Sequence, residues 1–378
     1  MPDYDAIVVG GRAAGASTAL LLARAGLSVL VLDRGRLGGD TLSTHALMRG
    51  AVLQLTRWGV LSSIVGAATP AIRHVTFHYA DGIVPVELGA SHGVDALYAP
   101  RRTVLDPALV AAAASAGAEF GHCSNVVGVR RDGEPVTGVE YRHGSRTEVR
   151  TARIVVGADG RRSRIADLVG AGLVAVAANT SAFIYGYWEE LEVSGYEWAY
   201  GDRAAAGFIP TNDSRTCVFV GADSRRIGRD GPGVVAALTA AASPSMSARL
   251  REVAAPARLR TFPGQAGYLR SAWGPGWALV GDAGSWKDPI SAHGLTDALR
   301  DAELLARALV VHLRDGVPEK DSLGTYQAAR NRLALPMLRI ADRIATYRWG
   351  PDRIRVLLGS LNQCMRDEVG LLAGLDPT

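Results

Sequence analysis

Cysteine is scarce: Cys123, Cys217 and Cys364 are the three in 378 residues, at spacings that suit neither a disulfide framework nor a zinc site. Each reads as a small buried apolar residue, and no metal centre is expected. Lysine is almost missing, for of 41 basic residues only Lys287 and Lys320 are not arginine. With abundant Ala and Gly, that bias points to a GC-rich coding background more than to a task. No apolar run reaches the roughly eighteen residues that a membrane helix needs, and the opening Met1-Pro2-Asp3-Tyr4-Asp5 has no basic leader. A cytoplasmic address with no membrane partner is the expectation. Nor is there a surplus of charge, since the net +4 is spread without a basic run, which argues against a nucleic-acid partner. What remains is an ordinary globular composition, 48% hydrophobic and 21% charged, long enough for two interleaved units with a sizeable core.

The most informative stretch comes first. Ile7 to Val9 read as a buried strand that ends at Gly10-Gly11-Arg12-Ala13-Ala14-Gly15, where an apolar helix begins, and Ser28 to Leu32 form a second strand before Asp33-Arg34. Such a βαβ unit binds a pyrophosphate, because the tight turn lets backbone N–H groups at the helix start approach negative charge. Gly10 makes the turn, Gly15 lets the helix pack on the strand, and Asp33 is placed to accept the hydroxyls of an adenosine ribose. Arg12 stands where the fingerprint has its middle glycine, and its cationic head can pair with a phosphate.

Further along, residues 35 to 45 form a polar, glycine-rich loop leading to a helix expected from His45 to Trp58. The alternation through 72–88, broken at Asp81-Gly82, predicts a hairpin that opens a second sheet. Pro107 is expected to open the helix 107–117. Ile154-Val155-Val156 runs into Gly157-Ala158-Asp159-Gly160. Phe183, Tyr185 and Tyr187 share one strand face in a β-rich segment that also holds Phe208. Trp277 to Val280 is a last buried strand before Gly281-Asp282-Ala283, Lys287-Asp288-Pro289 and the helix start His293-Gly294-Leu295-Thr296. Residues 321–378 are helical, with breaks expected near Pro336 and Gly350.

With these glycine-bearing signatures in order, nearly the whole chain resembles the flavoprotein monooxygenases of the p-hydroxybenzoate hydroxylase type and the related geranylgeranyl reductases. The resemblance implies an α/β fold: a Rossmann-like FAD-binding domain with an inserted mixed or antiparallel substrate sheet and a C-terminal helical segment. FAD-domain parts are expected at 1–71, 97–175 and 263–325, sheet parts at 72–96 and 176–262, and closing helices at 326–378. FAD contacts are implied for Gly10, Arg12, Ala13, Ala14, Gly15, Asp33 and Arg34. They are implied also for Ser43, Thr44, Arg102, Val126, Asp159, Gly281, Asp282, Pro289, His293, Gly294, Leu295 and Thr296. Asp282 would take ribityl hydroxyls, and the N–H groups at 293–296 would stabilise charge on the reduced flavin ring. Taken alone, Asp159 reads equally as a turn that caps the next helix; the three motifs in order favour the FAD contact.

The implied chemistry is hydroxylation or epoxidation of a small aromatic or polycyclic substrate by a flavin C4a-hydroperoxide, with NAD(P)H as transient electron donor and O2 as co-substrate. His45 could serve as general base or could simply pack beside the flavin. Lys287 could hold a flavin-proximal anion or pair with Asp288. Phe183, Tyr185, Tyr187 and Phe208 form either the wall of a substrate pocket or ordinary core. Reduction of an isoprenoid or other alkene, and a flavin-free carrier of the GDP-dissociation-inhibitor kind, are the rival readings. The Trp-x-Trp-x-Ile-Pro pattern of flavin halogenases is absent. A monomer or a homodimer is expected.

Overall fold

The structure is a computed structural model that describes residues 2–227 and 231–376. β1 (Tyr4–Val9), α1 (Ala13–Arg24) and β2 (Val29–Leu32) form the expected βαβ unit, with β1 and β2 parallel from Ala6↔Val29 to Val9↔Leu32. Both faces of β1 are covered. Ala6 and Val8 enter the main core and Ile7 and Val9 a second one, which is why the run is continuously apolar. Next come α2 (Arg49–Arg57), α3 (Leu61–Gly66) and the hairpin of β3 (His74–Tyr79) and β4 (Gly82–Glu87). α4 (Arg102–Ser115) leads to β5 (Glu119–Gly121), β6 (Ser124–Arg131), β7 (Val136–His143) and β8 (Arg146–Gly157).

α5 (Arg164–Leu168) and β9 (Leu173–Val176) precede four strands, β10 (Ser181–Trp188), β11 (Tyr196–Gly201), β12 (Ala204–Thr211) and β13 (Arg215–Asp223). α6 (Pro232–Ala242) and α7 (Pro244–Arg251) follow, then β14 (Arg260–Phe262), β15 (Tyr268–Arg270), β16 (Trp273–Gly274), β17 (Trp277–Leu279) and β18 (Ser285–Trp286). The chain closes with α8 (Gly294–Leu313), α9 (Glu319–Ile344) and α10 (Pro351–Ala373). Among the described residues no helix is long and apolar enough to cross a membrane.

Two sheets dominate. The first runs β16-β17-β8-β1-β2-β5, with the β6–β7 hairpin attached to β8. β8 is parallel to both β1 and β17, and the register sets Val9 beside Gly157 and Leu279 beside Gly157. The turns that follow these strands therefore emerge in one row at a single sheet edge. The second sheet runs β14-β10-β13-β12-β11-β3-β4, antiparallel except for β3 beside β11. One face presents Phe183, Tyr185, Cys217, Phe219 and Trp198 to the main core, while Ile184, Trp188, Phe208 and Val218 lie on the other with residues of α6 and α7.

Helix boundaries differ from expectation for local reasons. His45 has φ +69, a left-handed conformation that cannot start a helix, so α2 begins at Arg49. α4 begins at Arg102 and contains Pro107, which removes one hydrogen bond at a cost of about 3 kcal/mol. Burial of Leu105 and Leu109, each contributing about 1.5–3 kcal/mol, offsets that loss. α9 likewise passes through Pro336 unbroken, with Met337, Leu338 and Ala341 buried just beyond it.

Candidate functional site

The row of turns beyond β1, β8 and β17 is sterically closed to larger residues. A Cβ on Gly10, whose φ is +105, would stand 2.4 Å from the Ala158 carbonyl oxygen, and one on Gly15 would stand 1.8 Å from that of Gly10. Ala13 and Ala14 continue the small-residue surface, and a Cβ on Gly281 would stand 2.8 Å from that of Ala14. The Asp33 carboxylate accepts from the N–H groups of Gly11 and Gly35, both at 2.6 Å, so it pins the turn while each oxygen keeps a lone pair for a hydroxyl donor.

Arg12 occupies the N-cap position of α1 and its Nη1 lies 3.4 Å from Asp106, which Arg102 also grips through three bonds of 3.0, 2.8 and 3.0 Å. Both cations are thus gathered on α4 beside the turn. Arg34 is exposed, and Val126 is buried in the second core. Asp159 accepts from the Ser163 hydroxyl at 2.5 Å and from the N–H groups of Arg164 and Ile165, so its carboxylate caps α5.

Asp282 is half-buried, and no described residue donates a hydrogen bond to its carboxylate. Burial, and then the charge of Asp297, pushes its pKa up to about 7 against the pull of Lys287, Arg102 and Arg161. Such a carboxylate needs donors, and ribityl hydroxyls would supply them. Pro289 starts a single 3-10 turn capped by Asp288, which also accepts from Ser181 N–H at 2.7 Å and ties this loop to β10. Burial pushes Asp288 up to about 6. His293 stands at the N-cap position of α8, and around Gly294 the space is open, with no atom beyond its chain neighbours and its own helix backbone within 4 Å of a Cβ built there. Leu295 is half-buried, and Thr296 Oγ1 accepts from Met48 N–H at 3.2 Å, fastening the segment after His45 to the first turn of α8.

Behind that helix start lies a buried charge network. Lys287 Nζ lies 2.6 Å from Asp297, not against Asp288, whose oxygens are occupied by backbone N–H groups. Arg300 bridges Asp297 and Glu368, both at 2.6 Å, and Asp301 at 2.7 Å, while His293 Nε2 meets Glu368 at 3.0 Å. Burial alone would raise the Asp297 pKa, but Lys287, Arg300 and His293 hold it well below the usual carboxylate range. His293, Asp297 and Glu368 stand close enough to share a metal ion, yet Lys287 and Arg300 already supply the cations there. Glu368, on α10, is a partner that no sequence spacing announces.

The first loop meets the second sheet at His45. Its Nε2 stands 2.5 Å from the Tyr187 hydroxyl, and its ring stacks on Tyr187 with centroids 5.7 Å apart. Ser43 N–H donates to the Tyr185 hydroxyl at 3.1 Å and Ser43 Oγ accepts from His45 N–H. Thr44, between them, is half-buried. Burial, then Arg102, Arg101 and Arg260, push the His45 pKa well below its ordinary value, so the imidazole is held neutral and one ring nitrogen keeps a lone pair for a hydrogen bond. Arg101 lies over Tyr187, 4.4 Å from the ring centroid, and shares Asp40 with Arg260.

The aromatic stripe therefore divides. Tyr185 and Tyr187 join His45, whereas Phe183 packs edge-on against Phe219 and Phe208 lies on the opposite face, fully buried under α6 and α7. A pocket role for Phe208 is corrected by the two-residue period of β12, which turns it away from the stripe. Sequence reasoning missed Arg101 and Arg260. The Arg101-Arg102 doublet was a signal for the first, while Arg260 enters through the pairing of β14 with Tyr185.

A family model described as FAD binding domain matches residues 3–341. Digeranylgeranylglycerophospholipid reductase 2 of Methanococcoides burtonii is 25% identical over 86% of this chain and 79% of its own length. Ubiquinone hydroxylase UbiL of Rhodospirillum rubrum is 26% identical over 90% and 80%. Among solved structures, Pseudomonas aeruginosa PqsL in complex with 2-aminobenzoylacetate superposes with a TM-score of 0.81 at 21% identity, covering 95% of this chain and 99% of that one.

Proposed function

Because the chain belongs to the FAD-binding-domain family and is an FAD-dependent oxidoreductase, we propose that it is a monooxygenase that inserts oxygen into a small aromatic or polycyclic substrate. When bound, FAD supplies electron uptake from NAD(P)H and activation of O2. The glycine turn and Asp33 suit the adenosine end, Asp282 suits the ribityl chain, and the open start of α8 suits the flavin ring. Capping of α5 makes Asp159 a support for the cradle in this reading, with Pro289 and Asp288 fixing the loop beside it.

The observation that carries the proposal is the His45–Tyr187 contact of 2.5 Å. Loop and sheet meet there, and Met48 fastens the same segment to α8. A neutral, buried imidazole can hold the Tyr187 phenol by a hydrogen bond so that the phenol orients a substrate hydroxyl, while Tyr185 holds the loop in place. His45 thus positions the phenol, and Lys287 acts at a distance by orienting Asp297 below the helix start. Similarity to a digeranylgeranylglycerophospholipid reductase keeps alkene reduction as a second reading. A cluster of two phenols, an imidazole and two guanidiniums suits an isoprenoid chain poorly. Substrate-stimulated NAD(P)H oxidation that stops when air is replaced by argon supports the oxygenase; oxidation that continues under argon supports the reductase.

A further inference from the structure

Resting on the reading that seats the flavin ring at the start of α8, we propose that the buried pair of Lys287 and Asp297 sets the reduction potential of bound FAD, Lys287 raising it and Asp297 lowering it. Both side chains lie behind the helix start, with Nζ 2.6 Å from one carboxylate oxygen. Arg300 takes the other oxygen at 2.6 Å and holds Asp301, while Glu368 from α10 joins Arg300 to His293. Arg330, buried on α9, draws on Asp301 as well. The cations Lys287, Arg300 and Arg330 thus stand against the anions Asp297, Asp301 and Glu368, all of them buried.

Such a network is a poor device for stability alone, because desolvating so many charges offsets most of what their mutual attraction contributes. Its place gives it another task. A helix start carries roughly half a positive charge, and an acid in the first turn cancels much of it. Asp297 is that acid in α8. Lys287, which enters from the loop after β18, restores the positive field there. The two charges reach the cofactor side with opposite signs, since Asp282, raised first by burial, is raised further by Asp297 and drawn down by Lys287. Hydride transfer from NAD(P)H puts two electrons and one proton on the ring and leaves NAD(P)+. The ring therefore gains one negative charge, which Lys287 favours and Asp297 opposes. Both are positioning charges that act through the helix start.

The test reduces the FAD-loaded protein slowly under argon beside a reference dye and reads the potential from the two spectra. Lys287→Gln is expected to disfavour the reduced state about tenfold, which lowers the potential of a two-electron couple by about 30 mV, and Asp297→Asn to favour it about tenfold. Lys287→Arg, which keeps the charge, should stay within about threefold of the native protein. FAD content and Tm accompany each variant. Where Asp297→Asn fails to fold or to hold FAD, Glu368→Gln removes another anion from Arg300 and should also raise the potential; Lys287→Met stands in likewise for Lys287→Gln. Opposite shifts support the proposal, because damage to the fold alone would move both kinds of variant in one direction. Shifts of one sign, or none, overturn it. Gly294→Asp, which sets a carboxylate in the open space at the helix start, separates this failure from that of the ring's placement. A potential lowered by Gly294→Asp and unmoved by the others removes the network and keeps the ring at α8, whereas no shift in any variant removes the ring from α8 as well.

Discussion

At the scale of single residues, two ionisable groups are held away from their ordinary titration. His45 is kept neutral by burial and by three arginines, and it touches Tyr187. His45→Ala should therefore keep FAD and slow turnover by roughly 10²–10⁴-fold, measured as kcat with a saturating substrate. Tyr187→Phe should act in the same direction. Unchanged kcat in both would remove the pair from the mechanism.

Asp282 titrates the other way. Its folded pKa of about 7 lies above its value in an unfolded chain, so its contribution to stability is present at low pH and lost as pH rises through about 7. Asp288, at about 6, adds the same sign. Flavin-free protein should melt at a higher temperature at about pH 5 than at about pH 8, and Asp282→Asn should narrow the gap. Hydroxyl donors favour the ionised carboxylate, so FAD should bind the native protein more tightly as pH rises across the same interval. The Asn variant should not follow.

Among elements, α1 and α8 begin at the turns that the proposed reading gives to FAD, and each is secured differently. α1 depends on close approach: a methyl group on Gly15 would collide with the Gly10 carbonyl. Gly15→Ala should abolish FAD retention on a desalting column even where the protein stays folded. α8 depends on charge. Removing Glu368 from α10 leaves Arg300 and His293 without a partner they share, inside a fully buried network. Glu368→Ala should cost about 3–5 kcal/mol by chemical denaturation, with FAD affinity falling alongside. A surface-like loss well under 1 kcal/mol, roughly that of an exposed pair, would contradict the role given to α10.

Over the whole molecule, two sheets meet across the segment from Ser43 to Met48. The βαβ unit and the turns at Gly157 and Gly281 were legible in the sequence because backbone sterics dictate glycine there whatever the rest of the chain does. The Tyr185–Tyr187 stripe was legible because strand period alone sets a face. Phe208 was misread for want of the register of β12, and helix starts at His45 and Pro107 were misread because a left-handed residue and a tolerated proline are decided by tertiary packing. Lys287 with Asp297 and Arg300 with Glu368 lay beyond sequence reasoning, since nothing local tells a buried acid which cation it will meet. The site was thus readable where geometry is local and opaque where charges meet across distant elements.

The central claim, that these parts cooperate to place one atom of O2 on a substrate, is tested most directly with isotopically labelled dioxygen. Flavin-loaded enzyme, NAD(P)H and a small aromatic substrate that stimulates NAD(P)H oxidation should give a product that is one oxygen heavier and carries the label. An unlabelled product enriched only in hydrogen would contradict the claim and assign the protein to the reductases.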